Sequence, residues 1–347
     1  MTKRLGILTG GGDCPGLNAV IRAVVRRAEF YGITIYGIDD GFKGLAEDRL
    51  RKLCQQDVSG LLPRGGTVLR STRFNPFKEA KLVSRCLKTI SKHKLDGLIV
   101  VGGEGSLGIG LDLFEKQGVP VLGIPKTIDN DVFGTEYCVG FFTAVQTATE
   151  AIDRLHTTAE SHNFVMIAEL MGRHCGYLAA YAGLAGGADY ILVPEQAICI
   201  DELVRSLKER HKSGKNFSIV AVAEDARLYD AKGKAIVRTP TLQDEYGHIT
   251  TAGAGLKVRD LLVKKLGFEV RLTVLGHIQR GGSPVAMDRI LATLYGCEAV
   301  RLASEGQFGR LIAYDSGRVM DKNLNIIHQG VKRLSADFFE VAATFFG

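Results

Sequence analysis

The sequence predicts an α/β fold in which mainly parallel sheets carry helices on both faces. Apolar runs typical of buried strands alternate with amphipathic stretches typical of helices along most of the chain. The chain has 347 residues, of which 46% are hydrophobic, and this length exceeds what one core usually supports. We therefore expect two α/β domains, each with its own core.

The strands are predicted where short apolar runs are bounded by turn residues, and the helices where apolar residues recur at helical spacing. The predicted strands are 5–9, 34–38, 97–101, 119–124, 164–169, 190–193, 218–224 and 270–275. The predicted helices are 17–30, 79–92, 141–160 and 255–266.

The distribution of charges and the spacing of the cysteines exclude several classes of function. The formal net charge of +6 suits an anionic ligand, but basic residues are interspersed with acids even in the densest basic stretch, 208–215, so no nucleic-acid partner is expected. No segment approaches the ~18 apolar residues of a membrane span, so no membrane partner is expected. Seven widely spaced cysteines without a CxxC pattern indicate reduced thiols, no zinc and a cytoplasmic protein. The apolar stretch that precedes Gly10 is too short for a signal peptide.

Two loops that follow apolar strands carry most of the chemical information. They are Gly-Gly-Glu-Gly-Ser at 102–106 and Pro-Lys-Thr-Ile-Asp-Asn-Asp at 125–131. In α/β sheets ligands bind at the carboxyl ends of parallel strands. The glycines allow close approach of a phosphate, Glu104 is a candidate ligand for a divalent cation, and Asp129 and Asp131 provide a general base and an orienting or metal-binding group. The sequence therefore predicts a phosphoryl-transfer site.

A third glycine loop, 10–16, fits neither common nucleotide motif. GxGxxG requires glycine where Pro15 stands, and a Walker loop requires lysine and serine or threonine where Leu17 and Asn18 stand. Two interpretations remain open for this loop: an anion site at a helix N-terminus, or a tight turn with only a structural role.

Cationic residues recur near other predicted strand ends. Arg271, His277 and Arg280 are expected to converge at one strand end, as a phosphate monoester would require. Taken alone, His277 favours a hydrogen-bonded core histidine, and each arginine is consistent with a surface ion pair; the two flanking arginines are what favour the phosphate site. Glycine and arginine also occur together at 64–73 and 169–173.

In their order from Gly11 to Pro284, these motifs resemble those of the bacterial-type 6-phosphofructokinases. The matching stretches are 102–106, 125–131, Met-Gly-Arg at 171–173 and LGHIQRGGSP at 275–284. The resemblance implies two Rossmann-like three-layer α/β/α domains with the active site in the cleft between them. A nucleotide-binding domain would comprise 1–140 with about 279–329, and a sugar-phosphate-binding domain 141–278 with about 330–347.

The implied reaction is phosphorylation of the 1-hydroxyl of D-fructose 6-phosphate by ATP with Mg²⁺, the committing step of glycolysis. The resemblance implies that the catalytic residues are Gly12, Arg73, Thr127, Asp129 and Asp131. The implied nucleotide contacts are Gly12, Arg73, Phe74, Gly103, Glu104, Gly105 and Ser106, with Glu104 also holding the metal. The implied sugar-phosphate contacts are Thr127, Asp129, Met171, Gly172, Arg173, Glu224, Arg271, His277 and Arg280. Because the family's equivalent of Arg271 reaches a neighbouring active site, a homotetramer with shared sites is implied.

The chain departs from the family pattern at Glu104 (usually aspartate), Phe164 (usually arginine) and Arg70 (usually glycine). Pyrophosphate-dependent members carry aspartate at position 105 with lysine at 126, whereas many ATP-dependent members have glycine at both positions. This chain has Gly105 with Lys126, so ATP is the expected donor and pyrophosphate stays open. A kinase of another substrate such as NAD, and a non-catalytic regulatory paralogue, are the remaining alternatives.

Overall fold

The structure is a computed structural model that describes residues 3–237, 241–243, 249–251 and 253–346. The chain divides into two compact units. Unit 1 comprises Met1–Thr143 and Arg280–Lys332, and unit 2 comprises Ala144–Gln279 and Arg333–Gly347.

The strands of the described chain follow one another in this order: β1 (Arg4–Thr9), β2 (Thr34–Ile38), β3 (Leu50–Leu53), β4 (Gly97–Gly102), β5 (Val121–Pro125), β6 (Val165–Leu170), β7 (Tyr190–Leu192), β8 (Ile198–Cys199), β9 (Ser218–Ala223), β10 (Leu228–Tyr229), β11 (Ala235–Val237), β12 (Thr241–Gln243), β13 (Ile249–Thr251), β14 (Val270–Val274), β15 (Arg310–Asp315) and β16 (Arg318–Asn323).

The α-helices of the described chain are α1 (Leu17–Phe30), α2 (Gly41–Ala46), α3 (Ala80–His93), α4 (Glu104–Gln117), α5 (Phe141–His162), α6 (Tyr177–Ala185), α7 (Ile200–Lys212), α8 (Ala254–Leu266), α9 (Ala286–Ser304) and α10 (Ala336–Ala343). Short 3-10 helices occupy Gln56–Val58, Pro76–Lys78, Gly276–Arg280 and Leu324–Gln329.

Unit 1 is built on a seven-stranded sheet with the order β16-β15-β5-β4-β1-β2-β3. The five inner strands are mutually parallel, and only the two edge strands, β3 and β16, pair antiparallel. This arrangement brings the carboxyl ends of β1, β4 and β5 to adjacent positions on one edge of the sheet. The three loops that leave those ends are the glycine and acidic loops singled out by the sequence.

Helices cover both faces of this sheet because its inner strands are apolar on both sides. Leu98 and Val100 of β4 join a core cluster with Leu107 and Leu111 of α4. Ile99, which is equally buried, points to the other face because successive strand side chains alternate. On that other face α1 packs against α9, closely enough that a side chain at position 296 of α9 would collide with Ala23 of α1.

Unit 2 is built on a four-stranded, fully parallel sheet with the order β14-β6-β9-β7. Every residue of β6 and β9 is buried, as expected for strands covered on both faces. Helices α6 and α8 pack on these strands. Short strands form two further ladders, β11-β10-β8 and β12-β13.

The predicted α/β class with mainly parallel sheets is confirmed, and so is each predicted element, to within about two residues at its ends. Helix α1 and strand β2 have the predicted bounds. All seven cysteines are free thiols, of which Cys54 is exposed and Cys297 half-buried. Among the described residues, no helix combines the length and apolar composition needed to cross a bilayer.

The buried cysteines provide a test of the core of unit 1. Burial raises the pKa of the Cys14 and Cys138 thiols to about 12, so at about pH 8 their reactive thiolate fraction is ~10⁻⁴ and their sulfurs lie out of reach of solvent. We expect iodoacetamide to modify exposed Cys54 while Cys14 and Cys138 stay unmodified, as followed by mass spectrometry of peptides. In guanidinium chloride all three should react at similar rates. Rapid modification of Cys14 or Cys138 in the folded protein would contradict the burial of these two thiols in unit 1.

Candidate active site

Three loops of unit 1 meet at the carboxyl ends of adjacent parallel strands. Gly10–Asp13 follows β1, Gly103 leads from β4 into α4, and Lys126–Asp131 follows β5. The loops are joined by backbone hydrogen bonds, since the Gly10 N–H donates to Val101 O (2.9 Å) and the Lys126 N–H donates to Gly102 O (2.9 Å). The structure therefore brings together the glycine loops and the acidic loop that the sequence singled out separately.

The glycines let these loops approach one another without side chains between them. A Cβ on Gly10 would lie 2.5 Å from Ser106 Oγ, and one on Gly102 would lie 2.4 Å from Ser106 Cβ. A Cβ on Gly12 would lie 2.7 Å from Arg280 Nη1. Nη1 of Arg280 itself donates to the carbonyl oxygen of Asp13 (3.2 Å). Ser106 and Arg280 thus occupy the space that side chains at 10, 12 and 102 would need.

Lys126 fastens the first glycine loop to the acidic loop. Its side chain is almost fully buried, at 2% exposure, and its ammonium donates to the carbonyl oxygens of Gly10 (3.0 Å) and Gly12 (2.6 Å). Burial lowers the pKa of Lys126, and the nearby Arg280 lowers it further, while Asp129 opposes the shift. Sequence reasoning identified the lysine but missed this contact, because its partners are more than a hundred residues away in the chain.

The acidic loop is held in place by hydrogen bonds of its own side chains and by one backbone bond from the segment at Lys332. The Asp129 N–H donates to Thr127 Oγ1 (3.1 Å), and the Asp129 side chain is 2% exposed. Asn130 adopts a left-handed conformation (φ 55°), which asparagine tolerates. Its amide donates to Glu136 O (3.0 Å) and accepts from the Cys138 N–H (2.9 Å). The Asp131 carbonyl accepts the Lys332 N–H (2.9 Å). These bonds fix where Asp129 lies.

A pocket of about 410 Å³ opens beside the first glycine loop in unit 1. Its lining residues are Gly11, Gly12, Asp13, Thr67, Arg70, Ser71, Thr72 and Arg73. Gly12 and Arg73, both implied as catalytic and nucleotide contacts, thus line one cavity. The neighbouring Phe74, implied as a nucleotide contact, packs partly buried against the hydrophobic core.

Arg70 departs from the family's glycine at a position where the backbone is left-handed (φ 56°). This conformation favours glycine and explains why glycine is usual there. In this chain the Arg70 carbonyl accepts a hydrogen bond from Thr9 Oγ1 (2.6 Å). That bond offsets part of the strain and leaves a cation on the pocket wall.

Glu104 and Gly105 form the exposed first turn of α4. A Cβ on Gly105 would have no atom within 4 Å, so this position faces open space at a helix N-terminus, where backbone N–H groups attract anions. Among the described residues, no group of three His, Cys, Asp or Glu side chains forms a ready-made metal site. One exposed carboxylate at a phosphate loop nevertheless fits Mg²⁺, which protein sites commonly hold through one or two carboxylates and the phosphates of the substrate.

In unit 2 the structure brings together the predicted sugar contacts that follow β6 and β9. The loop after β6 turns sharply at Gly172 (φ 144°) and Arg173 (φ 49°). The Arg173 N–H donates to Glu224 Oε1 (2.7 Å), which fixes the loop beside the end of β9. The predicted residues Met171, Gly172, Arg173 and Glu224 are therefore neighbours.

Three further groups in this region were missed by sequence reasoning. His174 Nδ1 contacts Asp225 Oδ2 (2.8 Å), one residue beyond each partner of the Arg173–Glu224 bond. Glu169, buried at the end of β6, accepts the Gly255 N–H at the start of α8 (2.7 Å), and burial raises its pKa. The sequence signal that could have identified Glu169 is a carboxylate near the end of an otherwise apolar strand.

The prediction that Arg271, His277 and Arg280 converge at one strand end needs correction. Arg271 is the second residue of β14, whereas His277 lies in the 3-10 helix after its carboxyl end. A strand rises about 3.3 Å per residue, so the length of β14 separates these two groups. His277 and Arg280 share that 3-10 helix, so the correction concerns Arg271 alone.

Arg271 lies in an exposed setting at the start of β14. It pairs with Glu269, its side chain is 60% exposed, and its guanidinium lies 5.5 Å from the ring centroid of Phe164. Phe164 in turn stacks on His162, with 5.0 Å between ring centroids. The phenylalanine that replaces the family's usual arginine therefore supports the neighbouring arginine through a cation–π contact.

Comparison with known proteins gives a consistent result. The family model described as phosphofructokinase matches residues 4–303. An ATP-dependent 6-phosphofructokinase of Corynebacterium efficiens is 44% identical over 99% of both chains, and one of Chloroflexus aurantiacus is 48% identical over 90% of this chain and 87% of its own. A pyrophosphate–fructose 6-phosphate 1-phosphotransferase of Streptomyces coelicolor is 44% identical over 99% of this chain and 100% of its own.

Solved structures agree with the fold. A phosphofructokinase of Pichia pastoris superposes with a TM-score of 0.81 at 33% identity, covering 99% of this chain and 36% of the longer yeast chain. A pyrophosphate-dependent phosphofructokinase of Marinobacter aquaeolei superposes with a TM-score of 0.79 at 20% identity, over 96% of this chain and 86% of its own, which supports the fold alone. By the extent and identity of these matches, the chain belongs to the phosphofructokinase family.

Proposed function

We propose that this chain transfers a phosphoryl group from ATP to the 1-hydroxyl of D-fructose 6-phosphate, giving fructose 1,6-bisphosphate and ADP in the committing step of glycolysis. The observation that carries the proposal is the buried acidic loop of unit 1. There Lys126 binds the carbonyls of the first glycine loop, and Asp129 lies three residues further along the same loop. Hydrogen bonds thus connect the loop of the candidate base to the candidate phosphate loop.

Phosphoryl transfer demands positioning and charge stabilisation more than covalent chemistry. Asp129 takes the proton of the sugar 1-hydroxyl as its oxygen attacks the γ-phosphorus. Arg73 and the Gly12 N–H stabilise negative charge on the transferring group, and both residues line the pocket beside the glycine loop. Thr127 and Asp131 support the loop that carries Asp129.

Mg²⁺ supplies neutralisation of the phosphate charge when it is bound. Glu104 would hold it from the first turn of α4. The side chain is one methylene longer than the aspartate usual in the family, and its exposure leaves it free to adopt the rotamer that reaches a phosphate-bound ion.

Unit 2 supplies the sugar-phosphate contacts in this proposal. Met171, Gly172, Arg173 and Glu224 bind the sugar. The loop that carries the first three is fixed by the Arg173–Glu224 bond. His277 and Arg280, which lie in the 3-10 helix after β14, bind the 6-phosphate, and Arg271 serves the site of a neighbouring subunit in a homotetramer. The exposed position of Arg271 on the edge strand β14 supports this last role.

Gly105 supports ATP as the donor. The open space around this position leaves room for a phosphate at the N-terminus of α4, whereas a carboxylate there would repel the α-phosphate of ATP. Lys126 supports pyrophosphate as the second candidate donor, because pyrophosphate-dependent members carry lysine at this position and relatives with both names are 44% identical to this chain. A coupled assay with fructose 6-phosphate that compares the two donors decides between them.

Replacement of the proposed base tests the mechanism. Asp129→Ser should lower kcat by at least ~10²-fold, the usual cost of losing a general base. The KM for fructose 6-phosphate should stay near the wild-type value, since the loop keeps the bonds of Asn130. The measurement is steady-state kinetics on purified enzyme, with circular dichroism as the folding control. A kcat close to wild type would remove Asp129 from this role.

A carboxylate at position 105 tests the donor. Gly105→Asp should fold normally, because the position is open and aspartate is favourable in the first turn of a helix. It should lower kcat/KM with ATP by at least ~10-fold more than with pyrophosphate, since only ATP has an α-phosphate to be repelled. Parallel saturation curves with the two donors measure the difference. Equal losses would show that this residue does not select the donor.

A further inference from the structure

Glu195 lies at the tip of a tight turn directly after β7 in unit 2. The turn is closed by a bridge between Val193 and Gln196. Oε1 of Glu195 accepts two backbone hydrogen bonds, from the N–H of Gly176 (2.9 Å) and from the N–H of Leu334 (3.1 Å). One carboxylate oxygen therefore connects two segments that are distant in sequence.

The first segment ends the loop that carries Met171, Gly172 and Arg173. Gly176 caps the start of α6. A Cβ there would lie 2.6 Å from Glu195 Oε2, so the glycine lets the carboxylate approach. Within the loop, the Cys175 N–H donates to Gly172 O (3.0 Å). The loop is thus fixed by Glu224 at Arg173 and by Glu195 at Gly176, one carboxylate near each end.

The second segment is the last part of the chain. Tyr177, the residue after Gly176, donates its hydroxyl hydrogen to Arg333 O (2.8 Å), which precedes the Leu334 N–H held by Glu195. Beyond it, α10 packs on α6 through Phe338, whose ring stacks on that of Tyr181 with 4.6 Å between centroids. The C-terminal segment is therefore attached to the start of α6 by the Tyr177 hydrogen bond, to Glu195 by the Leu334 hydrogen bond, and to the body of α6 by ring stacking.

Burial of the other carboxylate oxygen of Glu195 costs folding free energy. Oε2 is buried and accepts no hydrogen bond from the described part of the chain. An unsatisfied buried carboxylate oxygen destabilises a fold, so stability alone does not explain this residue.

We propose that Glu195 is a positioning residue for the sugar-phosphate site, and that through it the C-terminal segment sets the conformation of the loop 171–176. The proposal rests on the proposed function, in which that loop binds fructose 6-phosphate. Glu195 acts through the backbone of Gly176 and not by contact with substrate. The length of the Glu195 side chain therefore matters more than its charge.

Three substitutions separate the effect of side-chain length from the effect of charge. Glu195→Ala removes both hydrogen bonds, Glu195→Asp keeps the charge but shortens the side chain by one methylene, and Glu195→Gln keeps the length and one accepting oxygen. We expect the Ala and Asp variants to raise the KM for fructose 6-phosphate by about 10-fold or more, because small displacements of a binding loop are costly. The Gln variant should stay within about threefold of wild type, and the KM for the donor should change by less than about twofold in all three.

Asp230 offers a matched control in the same unit. Its Oδ1 likewise accepts two backbone hydrogen bonds, from the N–H groups of Lys232 and Lys234 (both 2.9 Å), in a turn that carries no proposed site residue. Asp230→Ala should leave both KM values unchanged. A rise in the KM for fructose 6-phosphate in this control, equal to that of Glu195→Ala, would overturn the proposal in favour of general loosening of unit 2.

Amide hydrogen exchange tests the positioning without relying on activity. Peptides that contain Gly176 and Leu334 should exchange faster in the Ala and Asp variants than in wild type, and near the wild-type rate in the Gln variant. Unchanged exchange in the Ala variant would overturn the proposal even if the enzyme acts on another sugar phosphate. Faster exchange with an unchanged KM would also overturn it, as would a Gln variant that behaves like Ala while Asp behaves like wild type. If wild-type protein fails to phosphorylate fructose 6-phosphate, the proposed function is wrong. The exchange rates of the peptides with Gly176 and Leu334 then decide whether Glu195 positions the loop 171–176.

Discussion

The buried ammonium of Lys126 is the interaction on which the candidate site of unit 1 depends. Burying a charge is costly unless it is hydrogen-bonded, and here the carbonyls of Gly10 and Gly12 and the charge of Asp129 compensate it. In a trans peptide the carbonyl and the following N–H point in opposite directions. By holding the Gly12 carbonyl, Lys126 therefore turns the Asp13 N–H away from itself. Ser71 Oγ donates to the carbonyl between those of Gly10 and Gly12, that of Gly11 (2.6 Å). Two side chains from outside the loop thus orient the peptides of three consecutive glycines.

The sequence predicts the interior of each sheet better than its margins. The inner strands were predicted because burial on both faces of a strand gives a short continuous run of apolar residues. The amphipathic α1 was predicted because burial of one helix face gives apolar residues at helical spacing. The edge strand β16 was missed, together with its antiparallel neighbour β15, since every residue of β16 is at least partly exposed and polar residues interrupt its pattern. Helix α4 was missed because glycines in its first turns lower helix propensity, although the proposed phosphate site at its N-terminus needs those glycines for close approach.

The candidate site was predicted residue by residue, but its connections were not. Motif order identified Asp129, Gly105 and Arg173. The contacts of Lys126 with the first glycine loop and of Glu195 with the C-terminal segment span more than a hundred residues, which no local pattern records. Arg271 shows the reverse error, because proximity in sequence to His277 was taken for proximity in space, and a strand lies between them.

Both units fix their glycine loops with buried or half-buried charged side chains of opposite sign. In unit 1 an ammonium holds backbone carbonyls, and in unit 2 the carboxylates of Glu224 and Glu195 hold backbone N–H groups. In unit 1 the N–H groups of Gly10 and Gly11 also donate to backbone carbonyls. The first glycine loop is thus held at both its carbonyls and its N–H groups, and the proposed mechanism uses the Gly12 N–H toward the donor phosphate. In unit 2 the carboxylates hold the N–H groups of Arg173 and Gly176, and the Gly172 carbonyl accepts the Cys175 N–H. The proposed sugar contacts of this loop therefore depend on the side chains that the fixed backbone presents.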